Sequence, residues 1–272
     1  MCENHNPKPI SRRQALRGGA AVAATAAALA TTTTGASAAE DPYAEPAKPA
    51  LPPSDMKLDL KRTALVVTDP QVDFLSPKGV TWGVVGKSVK QHNTVENIEK
   101  LFIAAKATGM TVAVSPHYYY PTDHGWRFEG ALEKLMHKIG MFDRKGALSV
   151  DGFENSGADF MPQYKKYIND GKTIITSPHK MYGPESNDLV LQLRKQRIDQ
   201  VILSGMSANL CTESHMRELL EQGFEVAVVK DATAAAMLPE GDGYLAALVN
   251  FRYMANAVWS TEEAISHMEG TA

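Results

Sequence analysis

Residues 200–234 read QVILSGMSANLCTESHMRELLEQGFEVAVVKDATA, and this stretch carries the pattern of a strand, a helix and a second strand. The runs at 200–204 and 225–229 are short, apolar and rich in β-branched residues, which is typical of buried strands. Between them apolar residues recur at helical spacing, and Gly223 marks the end of that helical pattern. The stretch therefore predicts two strands of one sheet with a helix between them.

The same alternation continues along the chain from residue 62. Further strands are predicted at 63–68, 111–115, 173–176 and 257–260, and helices are predicted before Gly109, at 189–196 and at 244–255. Near-continuous apolar strands alternating with helices predict an α/β fold in three layers. Its doubly wound, mainly parallel sheet has about six strands, with helices on both faces. The connection 116–172 is longer than a simple crossover needs, so we expect it to hold a helix and a segment that covers a pocket.

Length and charge restrict the function classes. The chain has 272 residues, of which 44% are hydrophobic, and its formal net charge is −3. This length supports one large core, and we predict a single domain over residues 58–272. Because there is no basic excess, we expect no nucleic-acid partner, and small-molecule chemistry fits better.

Residues 1–38 have the order of segments found in export signals. The run SRRQALR at 11–17 resembles a twin-arginine signal, an alanine-rich apolar stretch follows, and small residues at 36–38 suit cleavage. The apolar stretch is shorter than the about 20 residues of a membrane-spanning helix. We therefore expect a bacterial protein exported to the periplasm or secreted, with no stable membrane anchor after signal removal. Residues 39–57 are rich in proline and are predicted to be a linker.

Cys211 is the single cysteine that remains after the predicted cleavage, since Cys2 lies in the signal. No intramolecular disulfide is then available, so Cys211 is either a packed side chain or a working thiol. It lies at the start of a helical pattern, where unpaired backbone N–H groups favour a thiolate and can hold an oxyanion. These features suit a nucleophile, while a small core residue is the more ordinary interpretation of Cys211 taken alone.

Two further side chains follow predicted strands at the carboxyl edge of the sheet, where ligands bind in such folds. Asp69 follows the strand at 63–68 and is suited to accept and return a proton, while Lys180 follows the strand at 173–176 and is suited to stabilise charged partners. Each residue alone also has an ordinary explanation, as a helix cap, a surface charge or, for Cys211, a packed core residue.

Three motifs in order resemble the isochorismatase-like cysteine hydrolases, a family that includes nicotinamidases and N-carbamoylsarcosine amidases. They are LVVTDPQVDF at 65–74, Lys180, and GMSANLC at 205–211 followed by a helix and GFEVAVVKDA. The likeness covers roughly residues 62–262. It implies a catalytic triad of Asp69, Lys180 and Cys211.

The resemblance also implies backbone features around the nucleophile. These are a cis peptide between Met206 and Ser207 and an oxyanion hole made by the backbone amides of Ser207 and Cys211. Asp73 is the alternative base, and we assign it to orienting the loop because Asp69 matches the catalytic position.

The implied reaction is hydrolysis of a small amide-type C–N bond through a thioester on Cys211, with Asp69 moving the proton. Export favours an environmental amide or a related compound as the substrate. Two alternatives stay open. An isochorismatase-type ether hydrolase does not need a nucleophilic sulfur, so Cys211 counts against it. A non-catalytic periplasmic protein that binds a small molecule would use the same fold with Cys211 merely packed.

Histidines raise the question of a metal. Nicotinamidases of this family hold a zinc- or iron-type ion through an aspartate and histidines in the loop that here carries His117 and His124. Ser115 stands where that aspartate is expected and no third ligand is evident, whereas a metal site normally needs three. We therefore predict no metal and no cofactor.

Aromatic residues are dense in the loops near the predicted site. Such side chains suit the walls of a pocket for a small-molecule substrate, and they suit a subunit interface equally well. The family commonly forms dimers or tetramers, so we expect a homo-oligomer. The residues predicted to line the pocket are Phe74, Trp82, His117, Tyr118 and Trp126.

Overall fold

Six parallel strands form the central sheet of the computed structural model, which describes residues 41–271. The predicted signal at 1–38, and the start of the predicted linker, lie outside the described residues. The strands are β1 (Thr63–Thr68), β2 (Thr111–Ser115), β3 (Ile174–Ile175), β4 (Gln200–Met206), β5 (Glu225–Ala234), β6 (Met237–Leu238), β7 (Gly241–Asp242) and β8 (Ala257–Trp259). The order in the sheet is β3-β2-β1-β4-β5-β8, and β6 and β7 form a separate antiparallel pair. The parallel sheet confirms the predicted fold class.

Nine α-helices connect the strands within residues 41–271. They are α1 (Val72–Leu75), α2 (Trp82–Gln91), α3 (Thr94–Thr108), α4 (Ala131–Ile139), α5 (Lys165–Ile168), α6 (Leu189–Lys195), α7 (Glu213–Glu221), α8 (Gly243–Met254) and α9 (Thr261–Glu269). Within the described residues, none of these helices combines the length and apolar character needed to cross a membrane.

The side chains of β1 alternate between two hydrophobic cores. Leu65 and Val67 pack in a core that contains residues of α2, α3 and α9, while Ala64 and Val66 pack in a second core with residues of α6, α7 and α8. Because successive residues of a strand point to opposite faces, a run of apolar residues needs helices on both sides. This is why the sequence of β1 forms the middle of a three-layer structure.

Some boundaries differ from those predicted. β3 has two residues, and β5 continues to Ala234, beyond the predicted end at 229. β5 is longer because its pairing with β4 resumes after a register shift between Leu203 and Gly205. The helix predicted before Gly223 is split into a π-helical turn, Ala208–Thr212, and α7.

The connection 116–172 contains α4, α5 and two 3₁₀ turns, Asp123–Gly125 and Pro162–Tyr164. Its start is fixed by backbone hydrogen bonds, from Tyr119 N–H to Phe142 O (3.1 Å) and from Arg144 N–H to Tyr119 O (2.8 Å). Tyr119 and Phe142 are fully buried. The segment therefore covers the carboxyl end of β2.

Residues 42–57, which we predict to be a linker, contain no helix or strand. They nevertheless pack along the domain. The Tyr43 hydroxyl donates to Asp242 (2.7 Å), Glu45 pairs with Lys230 (3.0 Å), and Met56 is buried. These contacts place the segment in one compact unit with the rest of residues 42–272.

Candidate active site

Asp69 lies at the carboxyl end of β1 and is fully buried. Its φ of 46° is in the left-handed region, and its N–H donates to Ser115 O at the end of β2 (3.0 Å). Oδ1 of Asp69 accepts a hydrogen bond from His179 Nε2 at 2.7 Å. The carboxylate is thus held at the carboxyl edge of the sheet, where ligands bind in this class of fold.

The structure does not place Lys180 against Asp69. The Lys180 ammonium donates to Asp123 Oδ2 (2.5 Å) and to Tyr118 O (2.9 Å), and it lies 3.6 Å from the ring centroid of Tyr120. The predicted position of Lys180 beside the carboxylate is therefore corrected, and the neighbouring His179 takes that place. The physical reason is that adjacent residues of an extended segment point to opposite sides, so a slip of one residue exchanges the two side chains.

His179 has a hydrogen-bond acceptor at each ring nitrogen. Nε2 faces Asp69 Oδ1 at 2.7 Å, and Nδ1 faces Met181 O at 3.3 Å. Because a neutral imidazole carries one N–H, only the imidazolium form donates to both acceptors. His179 thereby places a hydrogen-bond donor beside the carboxylate.

Cys211 lies in the π-helical turn between β4 and α7, and its side chain is buried with 3% of its surface exposed. The Met206–Ser207 peptide before this turn is cis, as the resemblance implies. Burial raises the pKa of the Cys211 thiol well above its ordinary value, and the Asp69 carboxylate raises it further. The backbone N–H groups of Ser207 and Cys211 act in the opposite direction on this pKa, because they favour the thiolate. These are the two amides predicted for the oxyanion hole.

The turn that carries Cys211 is held closely against β1. Thr68 Oγ1 lies 3.1 Å from Met206 O, to which it is placed to donate, and 3.1 Å from the hydroxyl of Thr212. Gly205 has a φ of 113°, and a Cβ at this position would overlap the carbonyl oxygen of Thr68. Glycine is required here because both the backbone conformation and the close approach exclude a side chain.

His117 follows β2 and is fully buried. Gln71 fixes its backbone, since the Gln71 side chain accepts from His117 N–H (2.9 Å) and donates to His117 O (2.9 Å). Neither ring nitrogen has a hydrogen-bond partner among residues 41–271. Burial lowers the pKa of His117 well below its ordinary value, as does the nearby charge of His179, so the ring is neutral.

His215 is a further buried histidine, but its hydrogen bonds are complete. Its Nδ1 donates to Cys211 O (2.7 Å), and its Nε2 accepts from the Ser115 hydroxyl (2.8 Å), which in turn accepts from Asn187 Nδ2 (2.9 Å). Burial lowers the pKa of His215 well below its ordinary value, which keeps the ring neutral. This network fixes the backbone of the nucleophile turn.

The site therefore collects four reactive side chains from four loops. One nitrogen, oxygen or sulfur atom from each lies within 4.8 Å of those of the other three. The sequence predicts three of these four as site residues and gives His179 no role, although Ser-Pro-His occurs after two predicted strands, at 115–117 and at 177–179. The two copies lie side by side, joined by a parallel bridge between His117 and His179. The four residues are Asp69, His117, His179 and Cys211.

Tyr118 and Phe74, two of the aromatic residues predicted for the pocket, are buried. The guanidinium of Arg144 lies 4.6 Å from the Tyr118 ring centroid. Phe74 packs against Phe142 with ring centroids 5.2 Å apart, as part of the first core. Phe74 is thus a packing residue in this structure.

The two tryptophans predicted for the pocket occupy different places. Trp126 contacts the Tyr119 ring, with centroids 5.9 Å apart. Trp82 lines a cavity of about 310 Å³ with Leu75 and Met161, and none of the four clustered side chains lines that cavity. Trp82 thus lines a cavity separate from the four clustered side chains.

Asp73, the alternative base, is committed to the loop as predicted. Its Oδ2 accepts from Phe142 N–H (2.8 Å) and its Oδ1 accepts from Val80 N–H (3.3 Å). Burial raises the pKa of Asp73 above its ordinary value.

The metal-ligand set that the resemblance suggests is not assembled here. His124 pairs with Asp143 (2.8 Å) at the surface, and the Ser115 hydroxyl is committed to His215. Of the two histidines considered for that set, only His117 reaches the cluster.

Comparison with known families and relatives adds independent information. A family model described as the isochorismatase domain matches residues 63–263. Two uncharacterized isochorismatase family proteins match short parts of the chain. One, from Escherichia coli O157:H7, is 45% identical over 49 residues, and the other, from Bacillus subtilis, is 33% identical over 76 residues. These alignments cover 18% and 28% of this chain, and 26% and 38% of the two relatives.

Solved structures share the fold at low sequence identity. A cysteine hydrolase from Pseudomonas syringae pv. phaseolicola superposes with a TM-score of 0.66 at 21% identity, covering 82% of this chain and all of that one. N-carbamoylsarcosine amidase from Thermoplasma acidophilum gives 0.53 at 18% identity, covering 74% and 97%. Nicotinamidase from Bacillus subtilis gives 0.53 at 19% identity, covering 73% and 99%.

Proposed function

The chain belongs to the isochorismatase family, and from this premise we propose that it is a hydrolase that cleaves a small amide-type C–N bond with Cys211 as nucleophile. The observation that carries this proposal is the convergence of Cys211, Asp69 and the imidazole of His179 in one buried site. A nucleophile, a proton carrier and a charge partner are the groups that covalent catalysis on a carbonyl needs.

Cys211 and Asp69 divide the work as nucleophile and base. The raised pKa of Cys211 keeps the resting thiol protonated, so attack needs a partner that removes the proton. Asp69 is close enough to the sulfur to act on its pKa, and it is the base in our proposal. His179 holds the Asp69 carboxylate in orientation and balances its charge, the role that the resemblance gives to a lysine.

The proposed reaction has two stages. Asp69 takes the thiol proton as the Cys211 sulfur adds to the carbonyl carbon, and the amides of Ser207 and Cys211 stabilise the oxyanion. Collapse of this intermediate breaks the C–N bond, and protonated Asp69 gives its proton to the leaving ammonia or amine. Asp69 then takes a proton from the water that attacks the thioester carbonyl. Collapse breaks the C–S bond and releases the acid, and protonated Asp69 returns its proton to the Cys211 sulfur.

The substrate must reach a sulfur that is 3% exposed. Tyr119 and Phe142, both from the connection 116–172, pack against the ring of His117 with centroids 4.6 Å and 5.1 Å away. We assign access to an opening of this connection, and we infer a small substrate because the space between the four clustered side chains is narrow. The unpaired nitrogens of His117 are available to a polar group of the bound amide.

The experiment is a screen of small amides, carbamoyl amines and ureas for release of ammonia or amine. We expect turnover of at least one of these compounds by the wild type. Cys211→Ala should reduce the rate by at least about 10³-fold, because the covalent route is lost. A folded Cys211→Ala variant with near-normal turnover would rule out the covalent mechanism.

A separate readout distinguishes a hydrolase from a non-catalytic binder. An acid-quenched reaction with the best amide should contain an acyl adduct on the peptide that carries Cys211, detected by mass spectrometry. Hydrolysis of a vinyl ether, with no amide turnover, would instead support the ether hydrolase.

A further inference from the structure

Four side chains of three chemical kinds meet at the site. One donor atom from each of Asp69, His117, His179 and Cys211 lies within 4.8 Å of those of the other three. All four residues are buried, and three of them are fully buried. A carboxylate, two imidazoles and a thiol are all ligands of zinc.

Two of these side chains have polar atoms with no hydrogen-bond partner in the described part of the chain. They are Oδ2 of Asp69 and both ring nitrogens of His117, although the Asp69 carboxylate interacts with the Cys211 thiol and the His117 ring interacts with the backbone of Lys180. Leaving a buried polar atom unpaired is unfavourable. The neutral ring of His117 presents a lone pair in this environment, and Oδ2 of Asp69 presents negative charge. A cation with affinity for both nitrogen and oxygen satisfies these atoms together.

From this arrangement we propose that Asp69, His117, His179 and Cys211 form a binding site for a divalent zinc ion. A tetrahedral zinc site holds its ligand atoms about 3.3–3.8 Å apart, from its bond lengths of about 2.0–2.3 Å. The donor atoms of the four residues lie up to 4.8 Å apart. The largest of these separations therefore has to shorten by roughly 1 Å to reach the geometry of a bound zinc ion. Nδ1 of His179 faces Met181 O at 3.3 Å, and a backbone acceptor of this kind orients a histidine whose Nε2 binds metal.

Zinc binding changes no oxidation state and releases only protons. The ion coordinates Cys211 as the thiolate, and the thiol proton leaves to solvent. The proton between His179 Nε2 and Asp69 Oδ1 also leaves, so that both atoms are free to coordinate.

Zinc binding at this site regulates the proposed function and, in that respect, rests on it. The zinc ion coordinates both the nucleophile, Cys211, and the proposed base, Asp69. With four protein ligands, the ion has no open coordination position for substrate or water. Zinc is then a reversible inhibitor that holds the hydrolase inactive, and a chelator restores activity. The binding itself does not depend on the enzyme activity.

Co²⁺ is the probe, because it reports its ligands by absorption. Chelator-treated wild-type protein is titrated with Co²⁺ and then with Zn²⁺. We expect a near-ultraviolet sulfur-to-cobalt charge-transfer band together with the intense visible bands of a tetrahedral site, at one ion per chain. Added Zn²⁺ should displace Co²⁺ and remove both the charge-transfer band and the visible bands. A wild-type protein with no sulfur-to-cobalt band overturns the proposal, whether the site then holds only water or binds cobalt elsewhere.

Variants assign the ligands. Cys211→Ser should lose the charge-transfer band, and His117→Ala should weaken Co²⁺ binding by at least about 10-fold, since even outer partners of metal ligands cost that much. His124→Ala is the matched control, because His124 is a surface histidine paired with Asp143, and it should bind Co²⁺ like the wild type. Loss of binding in His124→Ala with retention in folded His117→Ala would overturn the ligand assignment.

Activity separates this proposal from the hydrolase mechanism. If the metal-free wild type hydrolyses amides and shows no cobalt band, the zinc site fails and the hydrolase stands. A second outcome is that cobalt binds through sulfur, the metal-free protein hydrolyses no amide and the zinc-loaded protein is active. In that case zinc is not an inhibitor, and the covalent mechanism also fails.

Discussion

The residue that contacts the Asp69 carboxylate in this site is a histidine, His179. His179 meets Asp69 through Nε2 and a backbone oxygen through Nδ1, so its protonated form satisfies both acceptors. An imidazole differs from a lysine amine in that its neutral form is readily available near neutral pH and is a common metal ligand. The same residue therefore supports both the proposed hydrolysis and the proposed zinc site.

The thiol provides a prediction at the residue scale. Because burial and the Asp69 charge hold the Cys211 pKa well above its ordinary value, the rate of alkylation by iodoacetamide should still rise with pH above about pH 9 in the wild type. Asp69→Asn removes a negative charge, so the Cys211 pKa falls and the thiolate fraction at neutral pH increases. Labelling then accelerates roughly tenfold for each unit by which the pKa falls, while amide hydrolysis is lost with the base. A pH profile of labelling that moves to higher pH in Asp69→Asn would contradict this electrostatic account.

Secondary-structure elements bring the reactive residues together from distant parts of the chain. The parallel order β3-β2-β1-β4 puts the ends of four adjacent strands at one edge. The loops after these strands supply His179, His117, Asp69 and Cys211, respectively. β4 approaches β1 closely at Gly205, where the nucleophile turn begins, and this approach sets the distance between the turn and Asp69.

Gly205 provides a prediction at this scale. Gly205→Ala should lower the free energy of unfolding by at least about 2 kcal/mol, because it combines an unfavourable positive φ with overlap of the Thr68 carbonyl. The matched control is Gly83→Ala in α2, where a Cβ meets no atom within 4 Å. There alanine should stabilise by about 0.5–1 kcal/mol through helix propensity. Urea unfolding of both variants measures the difference, and equal midpoints would refute the argument.

At the scale of the whole molecule, the sheet and its two cores follow directly from the sequence. The strand runs are so uniformly apolar that only a sheet covered on both faces accommodates them, and the predicted fold is confirmed. The signal at 1–38, export and a homo-oligomer stay predictions. The mass of the exported chain, expected to begin after residue 38, and the mass of the assembly in solution would test them.

The details of the site were less accessible to sequence than the fold. Asp69 and Cys211 could be predicted because each follows a long, unambiguous strand. Lys180 is assigned to the site from the resemblance, and β3, with only two residues, gives no register from which the sequence alone could place His179 beside Asp69 instead. The packing of residues 42–57 was also hidden, because side-chain contacts such as that of Tyr43 leave no periodic pattern in the sequence.

The most direct measurement compares His179→Ala with Lys180→Ala on the amide that the wild type hydrolyses fastest. The two residues are adjacent, but only His179 contacts Asp69. We expect kcat/KM to fall by about 10²-fold or more in His179→Ala, because charge stabilisation in a buried site is worth that much. Lys180→Ala, checked for folding by circular dichroism, should stay within about fivefold of the wild type, as expected for an interaction outside the reacting groups. A folded pair with the opposite order, in which Lys180→Ala is inactive and His179→Ala is active, would contradict the account.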